Sequence, residues 1–194
     1  MKRNLLLVLF VAVFVSSCGS APTVSSSRLA GGYTEKLTNM KFVYQESNLK
    51  ESMAESNRHH PSYYKNGYHK FGDVLVDLAA SEFKKYGVKV NSSSKVNYKD
   101  KVKVAGDNIL MIYSNGGNIK QSNRGTTVNF IFKADYISAS KRKIIWKGTV
   151  ETNTWSGDDY LGIKLPQTLY DEKYAKLIFS TIAEQMKEDG LINK

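Results

Sequence analysis

Cysteine is all but missing from this chain of 194 residues: there is one, Cys18. A single thiol excludes an internal disulfide framework and any metal cluster built on several cysteines. Proline is scarce at 3 and glycine stands at 14, which excludes collagen-like and proline-rich low-complexity chains. Long apolar runs are missing too, apart from residues 5–15. As a helix those eleven residues would span about 16 Å, roughly half a bilayer core, so a polytopic membrane protein is excluded. No Gly-x-Ser-x-Gly elbow occurs, nor a phosphate-binding glycine loop followed by Lys-Ser or Lys-Thr. What is present, 41% hydrophobic and 24% charged residues, suits one globular domain with a sizeable core.

The N-terminus reads as an address. Lys2 and Arg3 precede the apolar run, and small residues follow it up to Cys18. Val15-Ser16-Ser17-Cys18 resembles the bacterial lipobox, in which the cysteine becomes the acylated first residue of the mature protein. The resemblance implies a signal peptide over residues 1–17 and a membrane anchor of two or three acyl chains, which holds where one chain is marginal. Gly19 stands where an Asp would favour inner-membrane retention in such lipoproteins, so the outer membrane is the expected address. The serine-rich residues after Cys18 read as a flexible tether, with the tether taken as 18–40 and the domain as 41–194.

Removing Lys2 and Arg3 from the 28 basic residues leaves 26 against 18 acidic, a net charge of +8. That balance attracts anionic surfaces. Export argues against nucleic acid as the partner, and the basic residues are spread in short clusters, as on solvated turns and helix ends.

The coarse order is strand, helix, short strand, central strand, long hairpin, helix. Residues 41–44 form a strand candidate, and residues 46–67 are polar and poorly periodic, with a candidate helix over 48–57. From Tyr68 onward Phe71, Leu75, Leu78, Ala79, Phe83 and Tyr86 recur at helical spacing, ending at Gly87. Val88-Lys89-Val90 reads as a strand and residues 108–114 as a central one. Asn115-Gly116-Gly117-Asn118 reads as a turn and residues 121–125 as a loop.

The strongest pattern is a hairpin over 126–138 and 143–155. Its apolar faces meet if Tyr136 stands opposite Trp146 and Phe132 opposite Val150. Ile144 then joins the core face, and Asp135 faces Lys147 on the wet side. Tyr174, Leu177, Ile178, Ile182 and Met186 form the stripe of a last helix, with Thr168 or Asp171 as its cap and Gly190 at its end. The expected class is α+β: a two-layer, mostly antiparallel sheet of about four to five strands packed by two amphipathic helices.

Residues 106–113 and the Asp135…Trp146-Lys147-Gly148 hairpin resemble a group of small bacterial envelope lipoproteins of unknown function. Their fold is similar to the domains of penicillin-binding-protein activator and curli-secretion lipoproteins. The resemblance covers roughly residues 70–190 and brings no catalytic or binding residues with it.

Candidate chemistry is thin. His59, His60 and His69, with Asp73 or Glu55, lack the convergent spacing of a metal site, and no metal or other cofactor is expected. Asp158 and Asp159 after Trp155 read as a turn; a hydrolase needs an opposed acid and base about 5–10 Å apart. Tyr63, Tyr64 and Tyr68, with Arg58, make a candidate partner surface, as does Trp155 at the end of the hairpin. The expectation is a non-catalytic, lipid-anchored module that binds another envelope protein or polymer. A small hydrolase or metal-dependent enzyme and a structural subunit of an envelope complex are the alternatives.

Overall fold

The computed structural model describes residues 22–46, 61–103, 106–122, 125–157 and 172–193, with the backbone alone for 61–70, 117–122, 125–130 and 153–157. The chain forms one six-stranded sheet with two helices. In chain order these are β1 (Thr23–Leu29), β2 (Asn39–Gln45), α1 (Pro61–Lys84), β3 (Lys89–Val96), β4 (Ile109–Ser122), β5 (Gly125–Ser138), β6 (Lys143–Gly157) and α2 (Glu172–Glu188). Across the sheet the strands run β1-β6-β5-β4-β2-β3.

The class is α+β as expected, but the sheet is mixed and larger. β2 lies parallel to both β3 and β4, while β4, β5, β6 and β1 are antiparallel. The reason is the crossover: a helix between β2 and β3 returns the chain in the same direction, which a short turn cannot do.

β1 also corrects the domain boundary. Residues 23–29, assigned above to the tether, pair with β6 from Thr23↔Glu151 to Leu29↔Trp146. An edge strand uses one row of backbone hydrogen bonds and little apolar surface, so a serine-rich segment suffices. Val24 and Leu29 pack against the core. Behind β1, Leu37 N–H donates to the Leu191 carbonyl (2.9 Å), tying the start of the domain to its end.

Both helices pack on one face of the sheet. α1 turns Phe71, Leu75, Ala79 and Phe83 inward, and α2 turns Tyr174, Ile178, Phe179, Ile182 and Met186. Their partners are Phe42 and Tyr44 on β2, Leu110 and Ile112 on β4, Phe132 and Tyr136 on β5, and Trp146 and Val150 on β6. Phe179 is the hinge of this layer, with its ring edge-on to both Phe42 and Phe83 at 5.4 Å. Each such side chain contributes roughly 1.5–3 kcal/mol by burial. Gly72 brings α1 close to β2: a Cβ there would stand 2.7 Å from the Tyr44 ring.

Both helices end in a Schellman cap. Gly87 and Gly190 take positive φ (74° and 84°). The Val88 and Leu191 amides donate back to the Phe83 and Met186 carbonyls at 3.1 and 2.8 Å. Leu191 is buried against the helix end, as its place after Gly190 suggests.

The hairpin register matches the apolar alternation: Phe132↔Val150, Asp135↔Lys147 and Tyr136↔Trp146. Two details differ. Between Tyr136 and Ile137 the ladder shifts, placing Ile137 opposite Ile144. The extra residue is Ile145, so Ile145 and Trp146 both join the core while Ile144 is 37% exposed. Gly116 (φ 108°) likewise does not end β4: the strand passes through a bulge between Ser114 and Gly117 and runs on to Ser122. Residues 121–122, read as loop, therefore belong to the ladder.

Candidate functional site: the open face of the sheet

The site expected from sequence is only partly described. Cys18 and Arg58 lie outside the described residues, as do His59, His60, Asp158, Asp159, Thr168, Asp171 and the candidate helix over 48–57. Tyr63, Tyr64 and Tyr68 sit in the first two turns of α1 rather than in a loop. Pro61 opens that helix because the first helical position needs no donor N–H. Trp155 stands on another element, in β6 opposite Thr127. Among the described residues no three His, Cys, Asp or Glu side chains gather to hold a metal.

With both helices on one face, alternation turns the other side chains of the strands to the opposite face. Register places them in rows. One row reads Arg28, Lys147, Asp135, Met111, Val43 and Ser94 from β1 to β3. Beside it, Thr149, Lys133, Tyr113 and Gln45 form a second row. Ile109, Ile137 and Ile144 form a third. The result is an apolar strip of Met111, Ile137 and Ile144, backed by the buried Ile109, beside a cationic group, Arg28, Lys133 and Lys147.

Asp135 lies within this face and is 6% exposed, not on a wet surface as the alternation alone suggests. Its neighbours on β4 and β6 cover it, and the Tyr113 hydroxyl donates to its Oδ2 (3.3 Å). Burial pushes the Asp135 carboxyl above its ordinary range, against the pull of Lys147, the Tyr113 hydrogen bond and Lys133. Burial, the Asp135 charge and the same hydrogen bond push Tyr113 up to about 12.

The cations are less well matched. Arg28 and Lys147 are direct cross-strand partners and both are exposed. The ion pairs among the described residues involve neither of them. Like charges placed directly opposite are unfavourable, so this pair is a poor choice for stability and a good one for an incoming anionic group. Lys133 stands one strand further in, two residues from Asp135. The chemistry on offer is several N–H donors beside an apolar strip.

By contrast, in the shallow groove between α1 and α2 both lining carboxylates are paired with lysines, and Lys173 adds a further cation. There Lys85 Nζ meets the buried Glu82 at 2.6 Å, and Lys176 meets Glu172 at 2.5 Å.

Lys147 and Asp135 were visible in the sequence as a cross-strand pair, whereas Arg28 was not. Its place on the face depends on β1 being a strand, and a polar edge strand carries little periodic signal.

No protein-family model matches the chain, and no curated protein does. Solved structures with a similar course include protein XCC0632 from Xanthomonas campestris, of family DUF330 (14% identity, 87% of this chain and 97% of that one, TM-score 0.42). They also include the PelC dodecamer from Paraburkholderia phytofirmans (14%, 78% and 96%, 0.35). Lipoprotein GNA1162 from Neisseria meningitidis is a third (12%, 79% and 98%, 0.32).

Proposed function

We propose that this chain is a non-catalytic lipoprotein of the bacterial envelope that binds another envelope protein through the open face of its sheet. The anchor is Cys18, on the strength of the Val15-Ser16-Ser17-Cys18 motif, and Gly19 favours the outer membrane with the domain facing the periplasm. No cofactor is needed. The partner is a protein that presents carboxylates beside an apolar patch.

The observation that carries this reading is the Arg28–Lys147 pair, two exposed cations in register beside the strip of Met111, Ile137 and Ile144. A second copy facing this surface would set cations against cations, which disfavours self-association through it. A carboxylate placed between Arg28 and Lys147 would relieve their repulsion, and the isoleucines would supply apolar burial around it.

The test is site-specific photocrosslinking from position 144 in envelopes of the producing cell. A discrete crosslinked protein, lost in the double variant Arg28→Glu/Lys147→Glu, is the expected result. An unchanged crosslink in that variant removes the electrostatic part of the proposal. Crosslinks only to glycan or lipid replace the protein partner with a polymer or a membrane.

A further inference from the structure

We infer that the partner lays an acidic amphipathic α-helix along the open face, on a ledge bounded at one side by the crossover between β3 and β4. The inference deepens the reading of that face as a protein-binding site and rests on it.

The chain builds the ledge itself. β3 and β4 both lie parallel to β2, so the segment between them must return from the end of β3 to the start of β4. It does so on the face away from the helices. Lys41, Val43 and Gln45 alternate with Phe42 and Tyr44 of the core and therefore belong to that face. Gln45 Nε2 donates to the Asp100 carbonyl (3.3 Å), and Lys41 Nζ pairs with Asp107 (2.6 Å). The crossover thus runs back along β2 from Gln45 to Lys41. Val43 is 5% exposed and Ile109 2%, which a strand face without a covering layer would not achieve.

The part of the face left open is β1, β6, β5 and β4. At about 4.8 Å per strand, the crossover over β2 stands roughly 19 Å from β1. Its own half-thickness of about 5 Å leaves a ledge on the order of 14 Å wide. One helix with its side chains is about 10–12 Å across and fits, whereas a second beside it would need a further 8–10 Å or so. A strand also fits by width. Its backbone, however, would lie against Met111, Ile137 and Ile144 with no ladder to join, because β4, β5 and β6 pair with one another. A helix satisfies its own backbone.

Both sides of the ledge are cationic. Arg28, Lys147 and Lys133 lie toward β1. On the crossover Lys99, Lys101 and Lys103 are exposed, and no ion pair among the described residues uses them. Asp100 between them is engaged in its own turn, its Oδ2 accepting from the Asn97 amide (3.1 Å). Against these cations the ledge sets Asp135, which is covered, and Glu151 toward one end. A helix with Asp or Glu on both flanks of an apolar stripe matches the two cationic sides and the strip between them.

The test places a photocrosslinker singly at position 144, on the floor, and at position 101, on the crossover, of the full-length protein in envelopes of the producing cell. Both should capture the same protein, with the captured residues three or four positions apart in one segment that also carries Asp or Glu. Lys99→Gln/Lys101→Gln/Lys103→Gln should lower capture from position 144 by about threefold or more at low salt, at an unchanged Tm. The loss should shrink as salt screens it. If position 101 captures nothing, or the triple variant leaves capture from position 144 intact, the ledge is overturned and the open-face reading stands. Captured residues two apart, or drawn from several segments, put a strand or a flat surface in place of the helix and overturn it in the same way. Crosslinks only within the chain, or no discrete protein from position 144, remove the open-face reading and the helix with it.

Discussion

Trp146 lies over Gly148 on the same strand. A Cβ at Gly148 would stand 3.0 Å from Cζ2 and Cζ3 of the indole and closer still to Cη2. The Trp-Lys-Gly run is therefore a packing device, in which the glycine leaves the space that the ring two residues earlier fills. Ala134 stands opposite Gly148 and adds only a methyl group. Gly148→Ala should destabilise the domain by roughly 1–3 kcal/mol, the usual range for overpacking. In thermal unfolding this lowers Tm by about 2–4 °C per kcal/mol for a domain of this size. In a Trp146→Phe background, which itself loses the indole's burial and hydrogen bond, Gly148→Ala should cost less than it does in the wild type, because the smaller ring vacates the contested volume.

The same indole reaches the end of the last helix. Trp146 Nε1 donates to Asp189 Oδ2 at 2.6 Å, and Gln185 Nε2 donates to the other oxygen at 3.1 Å. Asp189 precedes the Gly190 cap, so one carboxylate joins β6 to the Schellman turn. Asp189→Ala leaves a buried indole N–H without its acceptor, which costs roughly 1–3 kcal/mol. Asp189→Asn retains an acceptor and should cost less. Urea midpoints of the two variants separate these effects, and equal midpoints would sink the account.

These contacts show where the sequence was legible. Alternation of large apolar residues exposed the register of β5 and β6, because a slip by one residue would exchange the faces of Phe132, Tyr136, Trp146 and Val150. Helical spacing exposed the inner faces of α1 and α2 for the same reason: burial imposes a period. Where burial imposes none, little could be read. β1 is an edge held by backbone pairing, and its serines look like a linker. Ile144 faces outward because of a bulge, which depends on the partner strand as much as on its own residues. Asp135 is covered by neighbouring strands, so its burial is a property of the sheet and not of the hairpin. The open face as a site was hidden for that reason, since its rows draw on six separate segments.

The buried Asp135 makes a pH prediction. Its carboxyl holds its proton more tightly in the folded state than in the unfolded chain, chiefly because of burial. The stability tied to that proton is present below the ordinary carboxylate range and is lost as pH rises through the elevated folded value. Asp135→Asn removes the penalty of ionisation and keeps an acceptor for Tyr113. The variant should therefore melt above the wild type at pH 7, by about 2–4 °C for each kcal/mol recovered. The two curves should converge near pH 3.5. A variant that melts lower at pH 7 would mean that Lys147 and Lys133 outweigh burial at this carboxylate.

Arg28 and Lys147 set stability against binding. Arg28→Glu replaces a like-charge cross-strand pair with an opposite-charge one, and such pairs differ by roughly 0.2–1 kcal/mol. The variant should melt at or slightly above the wild-type temperature at low salt, and the difference should shrink as salt screens the pair. If the face is built to receive carboxylates, the same change should weaken capture of the envelope partner, because it places a carboxylate where the partner's own would sit. A rise in Tm together with a loss of capture is the signature of a surface kept cationic for recognition. If Arg28→Glu melts well below the wild type, the Arg28–Lys147 pair is structural, and the binding role assigned to this face loses its main support.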